Sequence, residues 1–336
     1  MSERVVIIGD GAMATVCARV LAGNGHRVRM WSAFPDYAEH LRRTRENARY
    51  LPGATLPDSV EVTAADGEAF DGVTLAVSAV PTEYLRDVWR RLQPHWPGSM
   101  AVCSVTKGIE NDTLLRPTQV VAEVLTGSAD GPLPVAALSG PSIARELVEG
   151  LPATVVAASA DEVLAERVQY MYSCTYLRVY TNPDPIGVEL AAAAKNVIAI
   201  AAGLLDGMDA GDNAKAALVA RGLAEIARLG VAAGGLPETF SGLAGLGDLV
   251  TTCISPHGRN RSFGEAVGRG QSPDEAVSET SSVVEGIATT QSVLDLARRH
   301  KVEMPISRAV YRIIFEGQAP RDAVAGLMAR ELKAEV

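Results

Sequence analysis

The chain has 336 residues, 47% of them apolar and 21% charged, a balance that packs an interior without disulfides or metals. Its net charge of −9 excludes a non-specific nucleic-acid or anionic-membrane surface, which needs an excess of Lys and Arg. Any anion is therefore held by local groups, and the length fits two domains of ordinary size.

Read from the N-terminus, short apolar runs alternate with helical patterns, the signature of a doubly wound, mostly parallel sheet of Rossmann type. Strands are predicted at Val5–Ile8, Arg27–Trp31, Val73–Val77, Met100–Val105 and Val135–Leu138, with helices over 82–93 and 112–125 between them. Pro152–Ala158 and Thr175–Tyr180 add two strands around a helix at 161–173. A strand pattern already under way at Val5 leaves no room for a signal peptide, and the expected location is the cytoplasm. Cys17, Cys103, Cys174 and Cys253 stand singly, as small apolar fillers in a reducing compartment.

Asn182-Pro183-Asp184-Pro185 discourages continuation of any strand or helix, so the boundary is drawn there, giving a dinucleotide-binding domain at 1–183 and a helical substrate domain at 184–336. Beyond it the chain is rich in Ala, Leu and Gly at three- and four-residue spacing, which predicts an all-helical domain. Its most apolar stretch, Val188–Leu205, is interrupted by Glu189, Lys195 and Asn196, which a bilayer centre penalises, so no membrane span is read.

Gly9-Asp10-Gly11-Ala12-Met13-Ala14 follows the first strand and opens a helical pattern, the context in which G-x-G-x-x-[G/A] binds a dinucleotide. Gly9 permits the tight turn, Gly11 lets the backbone approach a pyrophosphate, and Ala14 lets the helix pack on the sheet. The second strand ends Met30-Trp31-Ser32-Ala33 without the acid that binds the ribose of NAD. Ser32 is free to donate to a 2′-phosphate, and the cofactor reading, NADP or NAD, leans to NADP. Arg42, Arg43 and Arg45 read as a solvated helix face.

Three later segments carry polar residues that neither periodicity nor turn chemistry requires: Thr106-Lys107-Gly108-Ile109-Glu110, Ala194-Lys195-Asn196, and Gly245-Leu246-Gly247-Asp248 followed by Arg259-Asn260-Arg261. Lys195 is the most informative, because an amine in an apolar helix is costly unless paired or functional. Glu189 and Asn196 would extend it into a polar stripe facing a cleft, and Arg261 reads as a surface residue. Five scattered histidines and four separated cysteines show no metal-ligand spacing, so no metal is expected.

With SVTKGIE at 104–110, SGPSIA at 139–144, GLAGLGDLVTTC at 242–253, RNRSFG at 259–264 and VVEG at 283–286, the chain resembles the NAD(P)-dependent glycerol-3-phosphate dehydrogenase family from about Val5 to Gly317. The resemblance implies interconversion of dihydroxyacetone phosphate and sn-glycerol 3-phosphate. It makes Lys195 the acid that protonates the C2 oxygen, Lys107 a second cation polarising the carbonyl, and Asp248 the carboxylate that orients Lys195. It gives the substrate phosphate to Arg259 and Asn260, and substrate contacts to Gly140, Ser142, Asn196, Thr252 and the position of Gly258. Cofactor contacts fall to the turn, Lys107, Ala144, Arg259, Val283 and Glu285. The expected partner is a small phosphorylated substrate, and the sequence leaves the oligomeric state, a homodimer included, open.

The chain departs from that family's usual pattern at Met13, normally aromatic, at Ala14, normally glycine, and at Gly258, normally serine. Two alternatives follow: a relative acting on another phosphorylated ketone or polyol, and a dinucleotide-binding regulator without catalysis. The two converging amines and their orienting acid speak against the regulator, which needs the glycine turn alone.

Overall fold

The apolar runs of the first half form strands β1 (Arg4–Ile8), β2 (Arg27–Trp31), β3 (Glu61–Thr63), β4 (Leu75–Ser78), β5 (Ala101–Ser104), β6 (Val135–Ser139), β7 (Ala153–Ala158) and β8 (Leu177–Asn182). In this computed structural model, which describes residues 2–128, 130–280, 283–332 and 334, they make one sheet in the order β3-β2-β1-β4-β5-β6-β7-β8. Pairing is parallel except between β6 and β7. Helices cover both faces, which is why the central strands read as unbroken apolar runs: Val5, Ile7, Leu75 and Val77 pack on one side, Val6, Ile8, Ala76 and Val102 on the other.

β3 was not among the predicted strands. It is a three-residue edge whose one partner among the described residues is β2, too short to show period-two alternation. The helix expected over 112–125 starts instead at Pro117 and runs to Thr126. Asp112 and Leu114 take φ of 68° and 61°, a left-handed excursion that helical geometry does not admit.

β8 ends at Asn182 and the helix Pro185–Gly207 begins two residues beyond Pro183, capped by the side chain of Asp184 on the amide of Gly187 at 2.8 Å. No strand follows among the described residues. The helix has the length and mean hydropathy (1.7) of a membrane span, yet Gly187 to Leu205 are all buried as the axis of the helical unit. Ile198, Ile200 and Leu204 pack there against Leu229, Phe263 and Val293.

Neighbouring backbones approach this axis closely. A Cβ on Gly203 would stand 1.9 Å from the Arg261 carbonyl oxygen, and one on Gly264 would stand 2.1 Å from that of Ile200. Two glycines facing across the contact thus seat the helix Arg259–Gly268 against the axis despite glycine's poor helix propensity. Replacing Gly203 with Ala is expected to lower unfolding free energy by about 1–3 kcal/mol, the usual cost of overpacking. Denaturant titration with an unchanged slope but an unmoved midpoint would contradict the close packing.

The two units are also pinned together. Glu189 was expected to face a cleft with Lys195, but its carboxylate accepts from Thr118 N at 2.9 Å, Thr118 Oγ1 at 2.6 Å and the Arg116 guanidinium. It caps the helix Pro117–Thr126 of the sheet unit from across the boundary, on a different side of the axis helix from Lys195.

Candidate active site

Strand order reverses between β1 and β4, which opens a crevice beyond their carboxyl ends. Gly9 turns the chain there with φ +122°, and a Cβ on it would lie 2.6 Å from the Ala79 carbonyl oxygen, so only glycine fits. The helix Ala12–Gly23 follows at once. Gly11 is its N-cap, offers no side-chain cap, and has nothing within 4 Å of where a Cβ would sit.

The start of that helix therefore carries no side-chain cap and no acid in its first turn, which fits the pyrophosphate of a dinucleotide. Ala14 is fully buried against the sheet, while Ala12 and Met13 pack partly buried at the mouth. Asn47 fastens the turn from a distant loop, donating to Asp10 O at 2.8 Å and to Thr15 Oγ1 at 2.7 Å. Ser32 stands immediately after β2, and its hydroxyl donates to Asp10 Oδ2 at 2.5 Å. Of the nearby arginines, Arg42 pairs with Glu39 at 2.8 Å and Arg45 donates to Val60 O at 2.8 Å, so neither is held at the turn.

Just beyond the carboxyl end of β5 three charged groups meet. Asp248 follows a π-helical turn, Leu243–Gly247, and its carboxylate, 2% exposed, divides between two lysines. Oδ1 accepts from Lys195 Nζ at 2.6 Å and Oδ2 from Lys107 Nζ at 2.8 Å. Lys195 Nζ also donates to Thr252 Oγ1 at 2.6 Å, and that hydroxyl in turn donates to Asp248 O at 2.6 Å. Thr252 is therefore a holder of Lys195 rather than a free hydroxyl.

Lys107 Nζ donates further to Gly140 O at 3.0 Å and Ser142 Oγ at 3.1 Å, so all three of its protons are engaged. Lys195 has two engaged and one open. Burial, together with the neighbouring Lys107 charge and against the pull of Asp248, lowers the Lys195 amine to about 8. For Asp248 burial works upward, but the two ammonium groups prevail and hold the carboxyl below its usual range.

The helix Arg259–Gly268 starts beside the same groups, with Arg259, Lys107 and Lys195 all near Glu285. Gly258 is its N-cap without a side-chain partner, and a Cβ there would meet only ordinary contacts, so the backbone does not demand glycine. Asn260 Oδ1 accepts from Gly286 N at 2.9 Å, which turns its amide nitrogen away from that contact. Arg259 is exposed and tethered by Val283 O at 3.0 Å. Asn196, the next residue along the helix from Lys195, is 4% exposed. Glu285 opens the helix Glu285–His300, and burial raises its carboxyl although Arg259, Lys107 and Lys195 all pull it down. Ala144 begins the short helix Ala144–Val148 beyond Ser142.

Arg261, expected at the surface, is instead mostly shielded, bonded to Asp206 at 2.5 Å and Glu265 at 3.2 Å. It points back along the axis helix, where its apolar stem and paired head are covered together.

The sequence matches the family model for the NAD-dependent glycerol-3-phosphate dehydrogenase N-terminus over residues 4–165 and that for the C-terminus over residues 184–325. Curated relatives include a glycerol-3-phosphate dehydrogenase (NAD(P)+) of Salinibacter ruber, 47% identical over all of this chain and 97% of that one. Another, from Chlorobium phaeobacteroides, is 45% identical over 99% of each chain. The chain belongs to the NAD-dependent glycerol-3-phosphate dehydrogenase family. The crystal structure of glycerol-3-phosphate dehydrogenase from Coxiella burnetii superposes with a TM-score of 0.93 at 38% identity, covering 98% of this chain and 99% of that one. The sheet-plus-helical architecture is thus the one expected from the alternation of elements, and in this chain the lysine–aspartate–lysine cluster joins Lys107 of the sheet part to Asp248 and Lys195 of the helical part. Sequence reasoning missed Asn47, Asp10 and the Glu189 cap. Only Asp10 carried a local signal, as a charged residue between the two glycines of the turn.

Proposed function

We infer that this chain interconverts dihydroxyacetone phosphate and sn-glycerol 3-phosphate with NAD(P)H, using residues 1–183 for the dinucleotide and 184–336 for the substrate, with Lys195 as general acid and base. The observation that carries the reading is Lys195 itself: a buried amine with two protons fixed on Asp248 and Thr252 and a third free to serve a substrate oxygen. A bound nicotinamide dinucleotide supplies or takes up the hydride. Lowered to about 8, the amine is an acid that gives its proton to the C2 oxygen in reduction and recovers it in oxidation.

Lys107 has no proton to spare, so its part is electrostatic: a fixed positive charge beside the developing alkoxide. Gly140 and Ser142 act by holding that charge in place. The substrate phosphate is assigned to the uncapped start of the helix at Arg259, to the Asn260 amide and to the Arg259 guanidinium, a combination of dipole, amide and fork donors. The turn from Gly9 to Ala14 holds the pyrophosphate, with Ala144, Val283 and Glu285 along the rest of the dinucleotide. An assembled Lys107–Asp248–Lys195 cluster has no use in a regulator that only binds nucleotide.

Initial rates on dihydroxyacetone phosphate and on unphosphorylated dihydroxyacetone test the assignment. Donors left unpaired by the missing phosphate are expected to lower kcat/KM at least ~10²-fold. Comparable values for the two ketones would remove the phosphate pocket from the reading.

A further inference from the structure

β2 carries no acid at its end, yet an acid is present there. Asp10, the residue between the two glycines of the turn, reaches across to Ser32, the first residue beyond β2, at 2.5 Å. Its carboxylate thereby occupies the corner of the crevice where a dinucleotide fold ordinarily places the acid that accepts from the ribose of NAD. We propose that Asp10 sets the cofactor preference, accepting the adenosine ribose hydroxyls and disfavouring a 2′-phosphate, so that the chain selects NAD(H) over NADP(H).

The geometry leaves Asp10 an unused acceptor. Oδ2 takes the Ser32 proton, and Oδ1 receives no donor from another residue among the described ones, although the residue is only 8% exposed. A largely shielded carboxylate whose second oxygen is not fully enclosed can accept a further donor, and a ribose hydroxyl is one. Ser32, which on sequence alone looked able to serve a 2′-phosphate, has already spent its proton on Asp10.

The nearest cation does not reverse the sign. Arg49 lies over the Tyr50 ring at 5.1 Å and the Tyr37 ring at 5.9 Å, an exposed group on the loop that Asn47 fastens to the turn. Arg91 lies over Trp31 at 5.0 Å and is committed to Asp66 at 2.8 Å. A 2′-phosphate would bring about two negative charges onto a carboxylate that has one exposed guanidinium for compensation.

The inference rests on the turn being a dinucleotide site and is tested without turnover. Calorimetric titration compares adenosine 5′-monophosphate with adenosine 2′,5′-bisphosphate, which differ only in the 2′-phosphate. The intact chain is expected to bind the monophosphate at least tenfold tighter. Asp10→Asn, which keeps shape and removes charge, is expected to bring the two within about threefold, chiefly by improving the bisphosphate. Equal or tighter binding of the bisphosphate by the intact chain, or a ratio that Asp10→Asn does not move, overturns the proposal while leaving the dehydrogenase reading intact. Failure of both nucleotides to bind overturns both. Because the first comparison needs no variant, a poorly folding Asp10→Asn does not decide the matter. NADH and NADPH affinities of the intact chain, read by nucleotide fluorescence, should rank the same way.

Discussion

Lys195→Met is expected to lower kcat for ketone reduction by ~10²–10⁴-fold, the usual weight of a positioned general acid. Methionine keeps the unbranched stem in the apolar helix while removing the amine, and Lys107 still neutralises Asp248 at 2.8 Å, so the carboxylate is not orphaned. Dinucleotide affinity is expected to hold, because Lys195 bonds to Asp248 and Thr252 and not to the turn at Gly9. Fluorescence titration with NADH alongside steady-state rates separates the two quantities. The intact enzyme supplies a second reading: the amine at about 8 is an acid below that pH and a base above it. Reduction should therefore decline as pH rises through about 8, and oxidation of the alcohol should climb through the same region. A fall of less than about tenfold in Lys195→Met, with binding unchanged, would move the proton to another group.

Local order was legible wherever chemistry and contact are close in sequence. The run Val5–Ile8, the glycine turn and the helix behind it lie within twenty residues, and each step limits the next: an apolar parallel strand, a turn only glycine makes, an uncapped helix start. The buried amine was legible too, since Lys195 interrupts an otherwise apolar helix. What it touches was not. Asp248 lies 53 residues from Lys195 and 141 from Lys107, and no periodicity spans such distances; their roles came from the resemblance. The same limit explains the errors at Glu189 and Arg261, each read as polar residues near Lys195 or solvent. Glu189 answers to Thr118, 71 residues earlier, and Arg261 to Asp206. Asp10 shows the limit at its sharpest: a search for an acid at the end of β2 cannot find one supplied by the neighbouring turn.

Asp248→Asn is the change expected to disturb the site most after Lys195 itself. The carboxylate gives one oxygen to each lysine, whereas an amide offers a single oxygen and turns N–H groups toward the other ammonium. Two buried cations are then left with half a partner, and breaking such a pair typically costs about 3–5 kcal/mol when both charges remain. The site has a cheaper response. Burial and Lys107 already press the Lys195 proton off, and Asp248 is the group that opposes them, so its loss drives the amine further down from about 8. At neutral pH the variant would then hold Lys195 largely neutral, with reduction slowed by at least ~10²-fold because the acid form is missing. Lowering the pH should restore part of the rate, and the declining limb of the profile should sit at a lower pH than in the intact enzyme. Substitution that merely loosened the fold would depress rates at every pH and leave the limb in place. If kcat changes less than threefold and the limb stays near pH 8, Asp248 is not what sustains the charge on Lys195.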